Sequence, residues 1–203
     1  MSSQRTARGR ADAIRLERRL NTARHGAEML DRKQHILADE LERLHLHADT
    51  TGREWTESAE EAALWLGRTA ALDGPLRIEQ ASPAQLTGVD IELGGSMGLT
   101  YPVDARCRPA PSPLHGGSAA LSYALTAHTE ALSYAVRHAA VQRAVQIVTA
   151  ELAGTRARAR SIENRWIPRL EAELADIRRR IEDQEREETL RVRWASEPAE
   201  EAR

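Results

Sequence analysis

The chain has 203 residues, enough for one or two ordinary domains, but it has no phenylalanine and only 3% aromatic residues, so a thick globular core would lack its usual large side chains. Its formal net charge of −2 gives the chain as a whole no attraction to nucleic acid, although 30% of its residues are charged. Such a composition is typical of long helices and coiled coils.

The N-terminal part of the chain predicts a long amphipathic helix over residues 9–73. Apolar residues recur there at alternating steps of four and three, with Gln34 in the one polar slot, and Asp73-Gly74-Pro75 ends the pattern. This is the spacing of a heptad repeat, which buries one face of a helix against another helix. Gly52 weakens the helix and favours a break near residues 47–53. The apolar series is Leu16, Leu20, Ala23, Ala27, Leu30, Leu37, Leu41 and Leu44.

Residues 74–117 predict a β-hairpin insert followed by a linker rich in proline and glycine. Residues 89–93 alternate between apolar and acidic side chains, as a half-buried strand does, and residues 99–103 form a second short apolar run. The glycine-rich segment between the two runs predicts the turn, with Gly94, Gly95 and Gly98 as its glycines.

Residues 118–194 predict the second long helix, and residues 195–203 predict a charged tail. Ser118 is a good N-cap for this helix. Near Pro168 the apolar residues recur at three successive steps of four, from Ile162 through Trp166 to Leu174, which predicts a local relaxation of the supercoil and a kink. The apolar line is Leu121, Leu125, Leu132, Ala135, Ala139, Val145, Val148, Leu152, Ala159, Ile162, Trp166, Leu170, Leu174, Ile177 and Ile181.

Together these elements predict a fold dominated by α-helices. The N- and C-terminal helices form a long antiparallel two-helix coiled coil, and a small β-hairpin is inserted in the middle. A molecule of this kind suits a strut or a shaft better than an enzyme.

Several local patterns suggest chemistry that their surroundings argue against. The glycine run at 94–98 lacks the Gly-Lys-Ser/Thr ending of a phosphate-binding loop. His45 and His47 are two residues apart on a helix, so they point to different faces and cannot share a metal ion. Arginines before a leucine repeat also occur in basic-zipper DNA readers, but here the apolar seam runs through the basic segment. Cys107 is the only cysteine, and no nucleophile with a base can be named. We therefore expect no catalytic site, cofactor, metal or nucleic acid.

The localisation of the chain follows from two absences. There is no apolar signal core near its N-terminus, and no stretch of about 18 apolar residues that could span a membrane. We expect a cytoplasmic protein that does not insert into the membrane itself.

Three segments of the chain carry motifs of one known family. Near the N-terminus these are Gly9-Arg10 and the spaced leucines that follow, with Gly26 and Lys33. The middle segment 96–102 contains a methionine–glycine element. The C-terminal motifs are denser, and they are Arg160-Ser161-Ile162-Glu163, Ile167-Pro168-Arg169-Leu170 and Glu185-Arg186-Glu187-Glu188. In these residues the chain resembles the D-subunit family of V-type and archaeal-type rotary ATPases, the counterpart of the γ subunit in F-type ATP synthases.

The resemblance implies a non-catalytic component of the complex, the rotor axle of the central stalk. Its terminal helices would enter the catalytic head formed by the A and B subunits, and its far end would join the small F subunit of the stalk and the adaptor on the membrane ring. The axle would couple ATP hydrolysis or ATP synthesis in the head to ion transport, such as proton transport, through the ring. It would lie at the membrane only through the other subunits of the complex.

An arginine belt at residues 5–24 and 156–180 lies near the termini on both helices, and we expect it to face acidic loops of the head. Its alternative is an ordinary solvated helix face. The residues expected to contact the head or to support that contact are Arg10, Arg15, Arg19, Arg24, Gly26, Lys33, Pro168, Arg169, Glu185 and Arg186.

The main alternative function is a cytoplasmic coiled-coil scaffold or adaptor that associates with itself. In the stalk hypothesis the apolar seam is buried within one chain, whereas in the scaffold hypothesis it is buried between two copies. A third hypothesis is a mechanical regulator that plugs the pore of another ATPase.

Overall fold

The computed structural model describes residues 2–83, 85–108 and 118–196. Helix α1 comprises Ser2–Asp73 and the short helix α2 comprises Pro75–Ala81. Two strands follow, β1 at Gly88–Ser96 and β2 at Leu99–Arg108. Helix α3, Ala119–Ser161, leads through a π-helical turn at Ile162–Trp166 into helix α4, Ile167–Ser196. The predicted fold class is confirmed, because long helices precede and follow a small antiparallel sheet.

The chain divides into two compact units. Unit 1 contains Met1–Lys33 and Gly154–Arg203, and unit 2 contains Gln34–Ala153. Within each unit two helical segments run antiparallel. In unit 1 the start of α1 pairs with α4, and in unit 2 the later part of α1 pairs with α3.

The apolar seam predicted in α1 lies on the buried face of that helix. Six of its eight residues are buried, and Leu30 and Leu41 are partly buried. A single apolar stripe at heptad spacing leaves only one face that can be covered, so the pattern alone identifies it. The buried six are Leu16, Leu20, Ala23, Ala27, Leu37 and Leu44.

The break favoured near residues 47–53 is absent, because α1 runs without interruption from Ser2 to Asp73. Gly52 lies instead where the ring of His138 from α3 approaches most closely. A Cβ atom at position 52 would lie 3.1 Å from Cε1 of His138. The glycine therefore makes room for the neighbouring helix and does not end its own.

The apolar line predicted in α3 was partly wrong. Leu121, Val148, Leu152 and Ala159 are buried as expected, but Leu132 is 39% exposed and Ala139 is exposed. Apolar residues surround this part of α3 on all sides, so periodicity could not select the face that meets α1. Alanines at the interface let the two helices approach closely, and the buried ones are Ala120, Ala124, Ala127, Ala131, Ala140 and Ala144.

The start of α3 is capped as predicted. The backbone N–H of Leu121 donates to the hydroxyl oxygen of Ser118 at 3.2 Å. The same hydroxyl donates a short hydrogen bond to the carboxylate of Asp73, the last residue of α1. One serine thus holds the end of one helix to the beginning of the next.

The turn of the β-hairpin is shorter than predicted. Met97 and Gly98 form it, with φ of 52° and 79°, as a two-residue type I′ turn requires. The prediction that Gly94 and Gly95 belong to the turn was wrong, since both lie in β1 opposite Tyr101 and Thr100. Both positions need glycine because a Cβ at Gly94 would clash with Val103, and one at Gly95 would clash with the carbonyl oxygen of Leu99.

Strand β2 carries the buried side of the hairpin. Tyr101 and Ala105 in β2 are each 3% exposed. The expectation that the apolar residues of β1 are half-buried was wrong for Val89, Ile91 and Leu93, which are 44%, 59% and 64% exposed. In β1 the alternation therefore marks a strand whose apolar side is left open.

Candidate functional site: an arginine-rich face beside a π-helical turn

Three ion pairs join the start of α1 to α4 in unit 1. Arg10 lies 2.5 Å from Glu185, Arg178 lies 2.6 Å from Glu17, and Arg24 lies 2.7 Å from Glu171. The pairs are seven residues apart on both helices, which is one heptad, and their sign alternates. Each exposed pair contributes about 0.2–1 kcal/mol, so the set acts chiefly on orientation and register. We call these three pairs the charge ladder.

The two helices enclose an apolar core beside the charge ladder. Ala13, Leu16, Leu20 and Ala23 of α1 pack with Leu170 and Leu174 of α4. At the end of this core, a Cβ atom at Gly9 would come within 3.2 Å of Cγ1 of Ile181. The core and the charge ladder together hold the outward-facing arginines of α1 on a fixed backbone.

The π-helical turn at Ile162–Trp166 adds one residue to the helix just before Pro168. The N–H of Ile167 donates to the carbonyl oxygen of Ile162, five residues back instead of four. A proline within a regular α-helix has no N–H to donate and crowds the carbonyl four residues before it. The wider turn therefore lies where that carbonyl, on Asn164, needs more room.

Because of the added residue, the buried face of the helix differs from the predicted apolar line. Trp166 was expected on the buried seam but is 46% exposed. Ile167 takes its place and packs on the core of unit 1 together with Ile162. Steps of four through Trp166 assume α-helical geometry, whereas the π turn makes the step five residues long.

The exposed Trp166 lies in a shallow groove on the surface of unit 1. Residues from the first turns of α1 form the rest of the groove, and Ile14 among them is 50% exposed. Arg15 lies 3.6 Å from Asp12, whereas Arg18 and Arg19 make no ion pair with any residue in the described ranges. The groove is lined by Ala11, Ile14, Arg15, Arg18, Arg19, Thr22 and Trp166. We call it the Trp166 groove.

Several residues predicted to contact the head make ion pairs within unit 1. Arg10, Arg24 and Glu185 belong to the charge ladder, and Arg169 lies 2.9 Å from Glu173 on its own helix. Arg186 lies 3.8 Å from Asp183, one turn away.

The other predicted site residues differ in their exposure and in their surroundings. Arg15 and Arg19 line the Trp166 groove. Pro168 is exposed, and Lys33 is partly buried. A Cβ atom at Gly26 would have no neighbour within 4 Å, so crowding does not explain that glycine.

The predicted arginine belt includes Arg18, but the individual contact residues expected from the sequence did not include Arg18 or Ile14, and the exposure of Trp166 was not predicted. Each of Ala11, Ile14, Arg15, Arg18 and Thr22 lies three or four residues from another member of this set, which is the spacing of one helix face. That spacing could have identified Arg18 as a neighbour of Arg15. The part played by Trp166 depends on the π turn and could not have been read from periodicity.

The groove offers charge and an aromatic surface for contact, without groups for bond-making. Arginine donates paired hydrogen bonds to carboxylates, and exposed tryptophan and arginine are the side chains that most often anchor protein interfaces. Among the described residues, no group of three or more His, Cys, Asp or Glu side chains could hold a metal ion. Within the same ranges, none of the helices is both long and apolar enough to cross a bilayer.

A second polar cluster fastens the hairpin to α1 in unit 2. The hydroxyl of Tyr101 donates to Oε1 of Glu40 at 2.5 Å, and Arg43 lies 2.6 Å from the same oxygen. The hydrogen bond from Arg43 lowers the pKa of the Glu40 carboxyl, against the effect of burial. Burial, and then the bond to Glu40, raise the pKa of Tyr101. Neutral Tyr101 and ionised Glu40 are therefore the stable forms. We call these three residues the hairpin clasp.

The chain matches a known family over nearly its whole length. The family model for the D subunit of ATP synthase matches residues 12–197. This range includes both partners of two ladder pairs, the π turn and the whole hairpin.

Individual relatives agree with the family match. The chain is 28% identical over 192 residues to the A-type ATP synthase D subunit of Thermococcus kodakarensis, covering 91% of this chain and 90% of the relative. It is 25% identical to the protein of the same name from Methanopyrus kandleri, covering 91% and 82% of the two chains. It is 26% identical to the V-type ATP synthase D subunit of Thermotoga neapolitana, covering 93% and 95%.

Proposed function

Because this chain belongs to the family of ATP synthase D subunits, which are stalk subunits, we propose that it is the rotor axle of the central stalk in an A/V-type ATP synthase. In this role it transmits torque between the catalytic head and the ion-conducting membrane ring. It performs no bond chemistry itself. Its partners are the A and B subunits of the head, the small F subunit of the stalk and the adaptor on the membrane ring, and it lies at the membrane through them.

The observation that carries this proposal is the build of unit 1, an antiparallel helix pair with a closed apolar core and an open arginine-rich groove. A shaft has to resist twisting, and two helices joined by a core and by the charge ladder twist less easily than one helix alone. The same pair leaves Arg15, Arg18 and Arg19 facing outward.

The composition of the outer face suits a turning contact. A large apolar patch would hold the axle at one angle, whereas exposed charge pairs are weak and easily exchanged. We propose that the arginines of the Trp166 groove face acidic segments of the head, and that Trp166 adds one apolar contact on one side. The shaft then presents a different side to each catalytic site as it turns.

Purification from the native cell tests the assembly. A gently purified, tagged chain should bring with it the head subunits, the other stalk subunits and magnesium-dependent ATPase activity. Recovery of the chain alone as a homodimer would overturn the proposal and would support a self-associating scaffold.

A charge-reversal variant tests the head contact. In the complex, R15E/R18E/R19E should weaken retention of the head by about tenfold or more, because three favourable contacts become repulsive. The matched control R53E/R68E/R143E makes the same charge change on exposed arginines of unit 2 and should retain the head. Equal loss in both variants would show that net charge, not the Trp166 groove, matters.

A further inference from the structure

The edge of strand β1 that faces away from β2 is exposed. The sheet has two strands in the described part of the chain, and β2 is the one that meets the helices. Tyr101 lies in a buried cluster with Leu37 and Leu44 of α1, and the thiol of Cys107 donates to the carbonyl oxygen of Leu132 in α3 at 3.6 Å. The long second edge of β1 thus carries backbone N–H and C=O groups that no strand of the described ranges pairs.

The side chains of β1 are as open as its backbone edge. Val89, Ile91 and Leu93 are between 44% and 64% exposed. They alternate with Asp90 and Glu92, so they share one side of the strand, and the pairing with β2 shifts register between Glu92 and Leu93. Soluble proteins normally protect such an edge with charged side chains, most often lysine, with proline, with a bulge or with a covering element. Here the residues between the apolar ones are Asp90 and Glu92, which do not cover their apolar neighbours.

The charged residues of β1 indicate which side chains a strand paired with its outer edge would carry. Asp90 has a partner, since Arg108 lies 2.7 Å away. Glu92 stands directly opposite Asp104 on β2, and like charges in that position repel. Glu92 makes no ion pair or hydrogen bond with the residues described in the structure, whereas Asp104 binds Arg106 at 3.3 Å. A cation arriving on the open side of β1 would balance Glu92.

A second copy of this chain does not supply that cation. In an antiparallel pair of two β1 strands centred on Ile91, Asp90 of each copy would face Glu92 of the other. A pair centred on Glu92 would place the two glutamates together. Either arrangement sets carboxylates against carboxylates across the new contact.

We propose that the outer edge of β1 binds an extended segment of another protein, which adds a third strand to the hairpin. The added strand has alternating side chains: apolar residues that cover Val89, Ile91 and Leu93, and a lysine or arginine beside Glu92. Main-chain hydrogen bonds provide attachment, and the alternating side chains provide selection. A third strand also stabilises a sheet that has two strands in the described ranges.

A labelled peptide gives the direct test with the full-length chain. The probe is a nine-residue peptide of alternating valine and lysine, and its binding is followed by fluorescence anisotropy at low salt. Two comparison peptides alternate valine with glutamate, or contain the first composition in scrambled order. Binding of the alternating valine–lysine peptide, with at least fivefold weaker binding of both comparison peptides, supports the proposal. Equal binding of the scrambled peptide, or no binding, overturns it.

Two variants of β1 link the binding to this edge. I91T keeps a residue that favours strands but removes apolar surface, and E92K reverses the charge next to it. We expect I91T to weaken the valine–lysine peptide about threefold and E92K about fivefold, in line with the usual strength of cross-strand pairs. E92K should also improve binding of the valine–glutamate peptide.

Matched controls lie close by in the chain. Leu86 is 98% exposed and precedes β1, and Glu79 is exposed on α2, so L86T and E79K make the same chemical changes away from the edge. Both should bind the peptide as the unchanged chain does. If E79K weakens binding as much as E92K, general charge explains the result and the proposal fails. Dimerisation of the chain that I91T abolishes would also overturn it, in favour of a second copy.

Discussion

The hydroxyl of Tyr101 in β2 donates a 2.5 Å hydrogen bond to the carboxylate of Glu40 in α1. Tyr101 is 3% exposed, and the Glu40 side chain is 16% exposed. Removing this hydroxyl leaves a shielded carboxylate with one donor fewer. We expect Y101F to lower the free energy of unfolding by about 2 kcal/mol, as measured by urea denaturation. Y123F is the matched control and should change it by less than about 0.5 kcal/mol, since Tyr123 is 58% exposed.

The same carboxylate makes stability depend on pH. The pKa of Glu40 is lower in the fold than its ordinary value of 4.5, so the fold favours its ionised form. Its contribution is complete above pH 4.5 and is lost as the pH falls toward the lowered value. E40Q should therefore lose less stability than the unchanged chain between pH 5 and pH 3, in unfolding curves recorded at each pH. Parallel losses in the two proteins would contradict a special contribution from Glu40.

The π turn predicts that substitutions of the neighbouring residues Trp166 and Ile167 change the free energy of unfolding by different amounts. I167A should lower the free energy of unfolding by about 1–2 kcal/mol, because Ile167 packs on the core of unit 1. W166A removes a larger but exposed side chain and should cost less than about 0.5 kcal/mol. Chemical denaturation of both variants checks the order. The reverse order would place Trp166 on the seam and remove the need for the extra residue.

Pro168 and the extra residue of the π turn should depend on each other. Deleting Asn164 restores α-helical spacing and keeps the faces before and after the turn in place, but it brings the proline into a regular helix. We expect a cost of about 3 kcal/mol in thermal or chemical unfolding. The same deletion combined with P168A should recover most of that loss. P168A alone is the control, and a double variant as unstable as the deletion would contradict this account.

Exchanging the two residues of one ion pair tests the charge ladder. R24E places two carboxylates together and E171R places two guanidinium groups together, so each should destabilise unit 1 by about 0.2–1 kcal/mol. The double exchange restores an opposite pair and should be more stable than the two single effects predict. A double-mutant cycle measures that coupling. Strictly additive effects would show that the pair at 2.7 Å has no energetic role.

The sequence could predict some helix faces but not others. The stripe from Leu16 to Leu44 is the one continuous apolar line of its helix segment, and Met29 and Ile36 are isolated exposed residues off it, so the pattern points to one buried face. In α3 no such contrast exists, and the choice of Ala131 over Leu132 depends on how closely the helices approach, which apolar periodicity does not report. The hairpin was recognised from its alternation, but the same alternation could not tell that β1 would be its open strand.

The charge ladder could have been predicted from the sequence but was not. Arg10, Glu17 and Arg24 stand one heptad apart, as do Glu171, Arg178 and Glu185, with opposite signs in reverse order. That pattern predicts the charge ladder without a structure. The exposure of Trp166 could not be predicted from the sequence. It depends on the single backbone hydrogen bond from the N–H of Ile167 to the carbonyl oxygen of Ile162, which shifts every later residue by one position.

The alternating sign of the ladder has one more effect, which concerns misalignment during folding. Heptad seams are repetitive, so two helices can slide by seven residues and still match apolar residues with apolar residues. If α4 slid in this way, Arg10 would face Arg178 and Glu17 would face Glu171. A slide in the other direction would bring Glu17 to Glu185 and Arg24 to Arg178. Both errors turn attraction into repulsion, so pairs that add little to the strength of the correct alignment still discriminate against its two nearest competitors.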